Sequence, residues 1–173
     1  MLTYKTVNPE KAFTIIEIIV AIAVISMLVG LSYTGYAAFT QRQELTSDGQ
    51  NLKNILRDVQ SRSFNGEVDC NTCNCSDPTK PILDGWFVDL SSRQFYGQCK
   101  GIRFSLSSLK ISADAVLTAN NNLIQFVSDP PRASRNTAIC MSYTGLPNKY
   151  YRIAVTRSGD ISDSGGLIAV CTL

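Results

Sequence analysis

Glu17 stands near the start of the stretch KAFTIIEIIVAIAVISMLVGL, and no other charged residue occurs from Ile18 to Gln41. An ionised carboxylate in hydrocarbon costs on the order of 2.5 kcal/mol or more, so one placed there calls for a cationic partner and marks a functional position. Six cysteines form a second group with chemistry: Cys70, Cys73, Cys75, Cys99, Cys140 and Cys171, all C-terminal to the apolar run. That one-sided placement suits disulfides in an oxidising compartment. Cys140 and Cys171, each in an apolar run, are expected to pair; Cys99 would then hold one of the three clustered cysteines, and the other two would close a small loop. A four-thiolate zinc site is the alternative, and an exported domain argues against it.

A third group is cationic. Residues 67–129 hold seven acidic and five basic side chains, whereas beyond Pro130 Arg132, Arg135, Lys149, Arg152 and Arg157 face only Asp160 and Asp163. With Tyr143, Tyr150 and Tyr151 interleaved, Arg132, Arg135 and Arg152 are candidate contacts to DNA phosphates. Catalysis finds no support. The chain has no histidine, hence neither the commonest general base nor the commonest metal ligand, and it carries no nucleophile elbow, Walker sequence or dinucleotide glycine pattern. The oxygen-rich stretches 69–77 and 160–163 lack the ligand spacing of an EF-hand. No cofactor or metal is expected, and an enzyme is not.

These groups need elements to position them. Residues 1–12, with Lys5, Lys11 and a helix-unfriendly Asn8-Pro9, read as a short cytoplasmic leader. From residue 13 to about 64 no proline occurs, and a single helix of that length would reach roughly 75 Å. Its first part, 13–40, is apolar on all faces and long enough for a bilayer. Its second part, 41–66, is amphipathic, with Leu45, Leu52, Leu56 and Val59 forming a stripe that should pack on a folded domain. Asn65-Gly66 is a helix stop. Residues 67–173 then read as a β-rich domain. Its strand-like runs are GWFVDL, RQFYGQC, GIRFSL, LIQFVS, AICMSY, YYRIAV and LIAVCTL. Alternation is clear at Ile102, Phe104 and Leu106 and at Tyr151, Ile153 and Val155, while 110–118 is ambiguous between strand and helix. The fold class is α+β: a long N-terminal helix on an antiparallel sheet domain.

The residues KAFTIIE, after a short basic leader and before an apolar helix, resemble the processing site of type IV pilins and of type II secretion pseudopilins. LKNILRDVQSRSFNG and YYRIAVTRSGDIS resemble the minor pilin and minor pseudopilin subgroup. The resemblance implies cleavage by a prepilin peptidase between Ala12 and Phe13, N-methylation of Phe13, and pairing of Glu17 with the Phe13 amine of a neighbouring subunit. Ala12 stands where the family usually has glycine, and Ile15 where it has leucine; the family's helix proline is absent.

The function so implied is that of a structural subunit, of a type IV pilus or a secretion pseudopilus. Expected partners are other pilins or pseudopilins, the peptidase, an inner-membrane assembly platform, and membrane lipid before assembly. The chain would sit in the inner membrane with its N-terminus in the cytoplasm, and after assembly in a periplasmic or surface filament. A DNA-binding minor pilin and a single-span membrane-anchored surface protein are the competing readings.

Overall fold

A computed structural model describes residues 13–73, 75–76 and 83–173, without the side chains of 31–35. The leader, Ala12 included, lies outside the described residues. Helix α1 runs Ile15–Phe64, as expected of a segment that lacks proline and is rich in Ala, Leu, Glu, Gln, Lys and Arg. It ends in a left-handed glycine. Gly66 has φ 66°, its N–H donates to the Ser63 carbonyl at 3.0 Å, and the Glu67 N–H donates to the Arg62 carbonyl at 2.9 Å. This is a Schellman cap, which satisfies carbonyls that the last turn leaves without helical partners.

The chain divides into two compact units, between Phe39 and Thr40. In the first, every side chain from 13 to 30 is exposed. Among the described residues no helical stretch is long and apolar enough to cross a membrane.

Among the described residues the second unit holds the rest of α1, a one-turn helix α2 (Cys70–Cys73) and nine strands. Strands β1 (Gly85–Asp89), β2 (Gln94–Cys99), β3 (Ile102–Ser108), β5 (Leu123–Ser128) and β6 (Pro131–Ala133) form one antiparallel sheet in the order β3-β2-β1-β5-β6. Strands β4 (Ala115–Ala119), β7 (Thr137–Tyr143), β8 (Tyr150–Val155) and β9 (Ile161–Asp163) form the other, in the order β4-β7-β8-β9. The stripe Leu45, Leu52, Leu56 and Val59 is fully buried and joins Trp86, Val88 and Phe126 of one sheet and Ile139, Met141, Tyr151 and Ile153 of the other in one core. Apolar burial on this scale, about 25 cal/mol per Å², is what a domain has to set against its chain entropy.

Two expectations fail. The run LIAVCTL is not a strand. Ile168 makes one isolated bridge with Tyr150, and Cys171 is bonded to Cys140. Cys140 is flanked within its sheet by Thr118 and Arg152, so beyond Ile168 the chain must leave β8 and cross a face of the sheet to reach its sulfur. In β3 only Phe104 is buried, while Ile102 and Leu106 are more than half exposed. A register shift opposite Phe95 and Gly97 and a left-handed Ser105, φ 51°, break the period of two on this edge strand. The ambiguous stretch 110–118 contributes to β4, YYRIAVTRSGDIS forms the strand pair β8–β9, and the three-residue strand β6 corresponds to none of the expected runs.

Candidate functional site

The N-terminal site is built on the first turn of α1. The Thr14 N–H and hydroxyl both donate to Glu17 Oε2, at 3.1 and 3.0 Å, and the Glu17 N–H donates to Thr14 Oγ1 at 3.3 Å. This reciprocal pattern is a capping box, which satisfies amide donors that the start of a helix leaves open. Glu17 Oε1 takes no bond among the described residues. Phe13, Glu17, Ile18, Ala21 and Ile22 line a shallow apolar groove of about 460 Å³ on the same face, where Ala21 leaves room between larger side chains.

The six cysteines are all oxidised, as Cys70–Cys75, Cys73–Cys99 and Cys140–Cys171, so no thiolate remains for zinc. The second bond fastens α2 to the end of β2, and the third fastens the C-terminal tail across its sheet. Asp84 and Asp89 serve turns: Asp84 Oδ2 accepts from the Gly101 N–H at 2.8 Å, and Asp89 Oδ1 from the N–H groups of Ser91 and Ser92 at 2.9 and 3.2 Å.

The expected arginine group does not come together as a trio. Arg132 lies in β6 and Arg135 just beyond its end, but Arg152 lies on β8 and donates from Nε to the Thr172 carbonyl at 3.1 Å. Arg157 takes its place beside the other two, because the Ala133 N–H donates to the Arg157 carbonyl at 3.2 Å and the Arg157 N–H donates to Asn136 Oδ1 at 2.6 Å. Tyr143 and Tyr151 face the core instead of any surface, and their hydroxyls donate to Asp48 and Asp163. They cannot stack on bases.

Residues 7–33 match the family model described as the prokaryotic N-terminal methylation motif. No curated protein matches the chain. Among solved structures, the crystal structure of the Pseudomonas aeruginosa (strain PAO1) type IV minor pilin FimU is similar, at 12% sequence identity and a TM-score of 0.50, over 72% of this chain and 90% of that one. The chain is pilin-like. The chain thus carries the methylation motif at its N-terminus and a fold similar to that of a type IV minor pilin. The Thr14–Glu17 pair also has a local role in starting the helix. Its Thr-x-x-Glu spacing is a helix-start signal legible in the sequence, which the reading of Glu17 as an isolated buried charge passed over.

Proposed function

We propose that this chain is a minor pilin-like subunit that enters a type IV pilus by packing its N-terminal helix among those of its neighbours. The observation that carries the reading is a methylation motif on a helix whose apolar side chains are exposed from residue 13 to residue 30, next to a second unit with its own closed core. Exposed apolar surface of that extent needs lipid or other helices to cover it. Before assembly, the inner-membrane anchoring that the methylation motif implies falls to the helix from residue 13 onward, of which the side chains of 31–35 lie outside the described ones. A prepilin peptidase cuts between Ala12 and Phe13 and methylates the new amine.

The capping box gives the assembly step a physical form. In the unassembled subunit Glu17 Oε2 is held by Thr14, which lowers the cost of keeping a carboxylate in the apolar segment. Oε1 is left to receive the Phe13 ammonium of an adjacent subunit. Because the helices otherwise meet through Ile, Val, Ala and Leu, this pair sets the axial register. Use in a secretion pseudopilus would rest on the same chemistry; the likeness to a type IV minor pilin favours the pilus.

Mass spectrometry of the mature N-terminus tests the processing step. The expected result is a chain that begins at a methylated Phe13, and an intact leader would remove the proposal. Glu17→Gln tests the pairing: it keeps shape and hydrogen bonding but loses the charge. It should abolish incorporation into filaments while leaving membrane insertion and the melting temperature of the body unchanged.

A further inference from the structure

Where the turn between β1 and β2 meets the turn that precedes β4, a cleft of about 440 Å³ is lined by Leu90, Arg93, Asp114, Val116, Leu117 and Thr144, among others. Its volume falls in the range of small-molecule sites, about 300–1,000 Å³. Two opposite charges stand in it without pairing. Arg93 donates from Nη1 to the Ser112 carbonyl at 3.0 Å and from Nη2 to the Ala115 carbonyl, so its guanidinium is clamped on the main chain to either side of Asp114. The Asp114 N–H donates to Ser112 Oγ at 3.3 Å, and the Ala115 N–H to the Ser112 carbonyl at 3.2 Å. These bonds close the turn and leave the Asp114 side chain exposed. Neither Arg93 nor Asp114 takes part in a salt bridge among the described residues. Arg93 also sits at φ 54°, a left-handed conformation that glycine adopts more easily, so an arginine is kept there against a backbone cost.

We propose that this cleft binds a small zwitterion of the α-amino-acid type, its carboxylate on Arg93, its ammonium on Asp114 and an aliphatic side chain against Leu90, Val116 and Leu117. Two of the five guanidinium N–H groups are engaged by main-chain carbonyls, which leaves three for a ligand, and a planar fork of donors suits a carboxylate. The clamp keeps the cation from folding onto Asp114, so each charge can meet a separate group of the ligand. Opposite charges in one cleft also reject simpler ligands. A phosphate or a lone carboxylate would meet Asp114, and a lone amine would meet Arg93. Val116 is 46% exposed, apolar surface that an aliphatic side chain would cover. Thr144 adds a hydroxyl, which can donate to the carboxylate or accept from the ammonium. All of these residues lie in the second unit, and the site does not rest on the filament reading.

The test is ligand-observed NMR with the full-length chain in neutral detergent micelles, against empty micelles, using L-leucine, N-acetyl-L-leucine and L-leucinamide. L-Leucine should show saturable binding. N-Acetyl-L-leucine lacks the ammonium and L-leucinamide the carboxylate, so each should bind at least about tenfold more weakly, the usual loss when a hydrogen bond to a charged group is removed. Arg93 also holds the turn, so its half of the site is read through L-leucinamide and not by substitution. Asp114→Asn, at an exposed side chain, should leave the melting temperature unchanged. It should weaken L-leucine by about tenfold or more and leave N-acetyl-L-leucine where it was with the wild type. No binding of L-leucine by the wild-type chain, equal binding of L-leucine and either derivative, or an unchanged affinity of D114N for L-leucine would each overturn the proposal. Should D114N melt early, the comparison of L-leucine with N-acetyl-L-leucine on the wild type decides the matter.

Discussion

At Glu17 two demands meet in one carboxylate. Oε2 completes the helix start with Thr14, while Oε1 takes no bond among the described residues and is the oxygen the proposed pairing would use, so loss of the side chain should affect helix capping and assembly separately. Thr14→Ala isolates the first demand: it should fray the first turn at a cost of about 1 kcal/mol and still permit incorporation into filaments, as read by pulldown of assembled pili. A second residue carries a cost with no visible return. Thr137 is 3% exposed and its hydroxyl is the one described buried side-chain oxygen or nitrogen without a partner. Thr137→Val keeps the shape and removes the stranded group, so thermal unfolding should show a gain of about 1 kcal/mol.

At the scale of elements, the seam between α1 and the four-stranded sheet depends on a small residue and two tyrosine–aspartate contacts. A Cβ at Gly49 would lie 2.2 Å from the ring of Tyr151, and that ring is held by the bond from its hydroxyl to Asp163, itself paired with Lys53 at 2.9 Å. Because the ring has no easy way to move aside, Gly49→Ala should destabilise the second unit by about 1–3 kcal/mol in spite of alanine's better helix propensity. The companion contact is the Tyr143 hydroxyl, which donates to Asp48 at 2.7 Å. Burial first, and the Asp48 hydrogen bond next, push the Tyr143 phenol up to about 12 from its usual 10. A folded-state pKa above the unfolded one means that the neutral phenol stabilises the fold. That contribution is complete below pH 10 and disappears as pH rises from 10 toward 12. Melting curves across that window should fall for the wild type and fall less for Tyr143→Phe.

For the whole molecule, the disulfides divide their work by loop length. Cys73–Cys99 closes 26 residues and Cys70–Cys75 only 5, which in the chain-entropy picture corresponds to about 3.5 against about 2 kcal/mol. Replacing Cys73 and Cys99 by alanine should therefore lower the melting temperature more than replacing Cys70 and Cys75. Equal losses would assign the stabilisation to something other than the unfolded chain.

The helix was legible in the sequence because its determinants are local: no proline over fifty residues, an apolar stripe at 45, 52, 56 and 59, and an Asn-Gly stop that became a Schellman cap. The methylation motif was legible for the same reason, being contiguous, and Tyr151, Ile153 and Val155 declared the inward face of β8 by their alternation. What only the tertiary structure decided was set by contacts between distant segments. LIAVCTL has strand composition, yet a disulfide to an interior strand carries it across a sheet face. Leu106 follows an inward Phe104 by two residues, yet a left-handed Ser105 on an edge strand turns it to solvent. Arg152 and Arg157 look alike along the chain, and it is hydrogen bonds made by Thr172, Ala133 and Asn136 that engage one and leave the other beside Arg132 and Arg135. Periodicity and motifs are properties of neighbours in sequence. Which charges remain unpaired depends on every pairing in the fold.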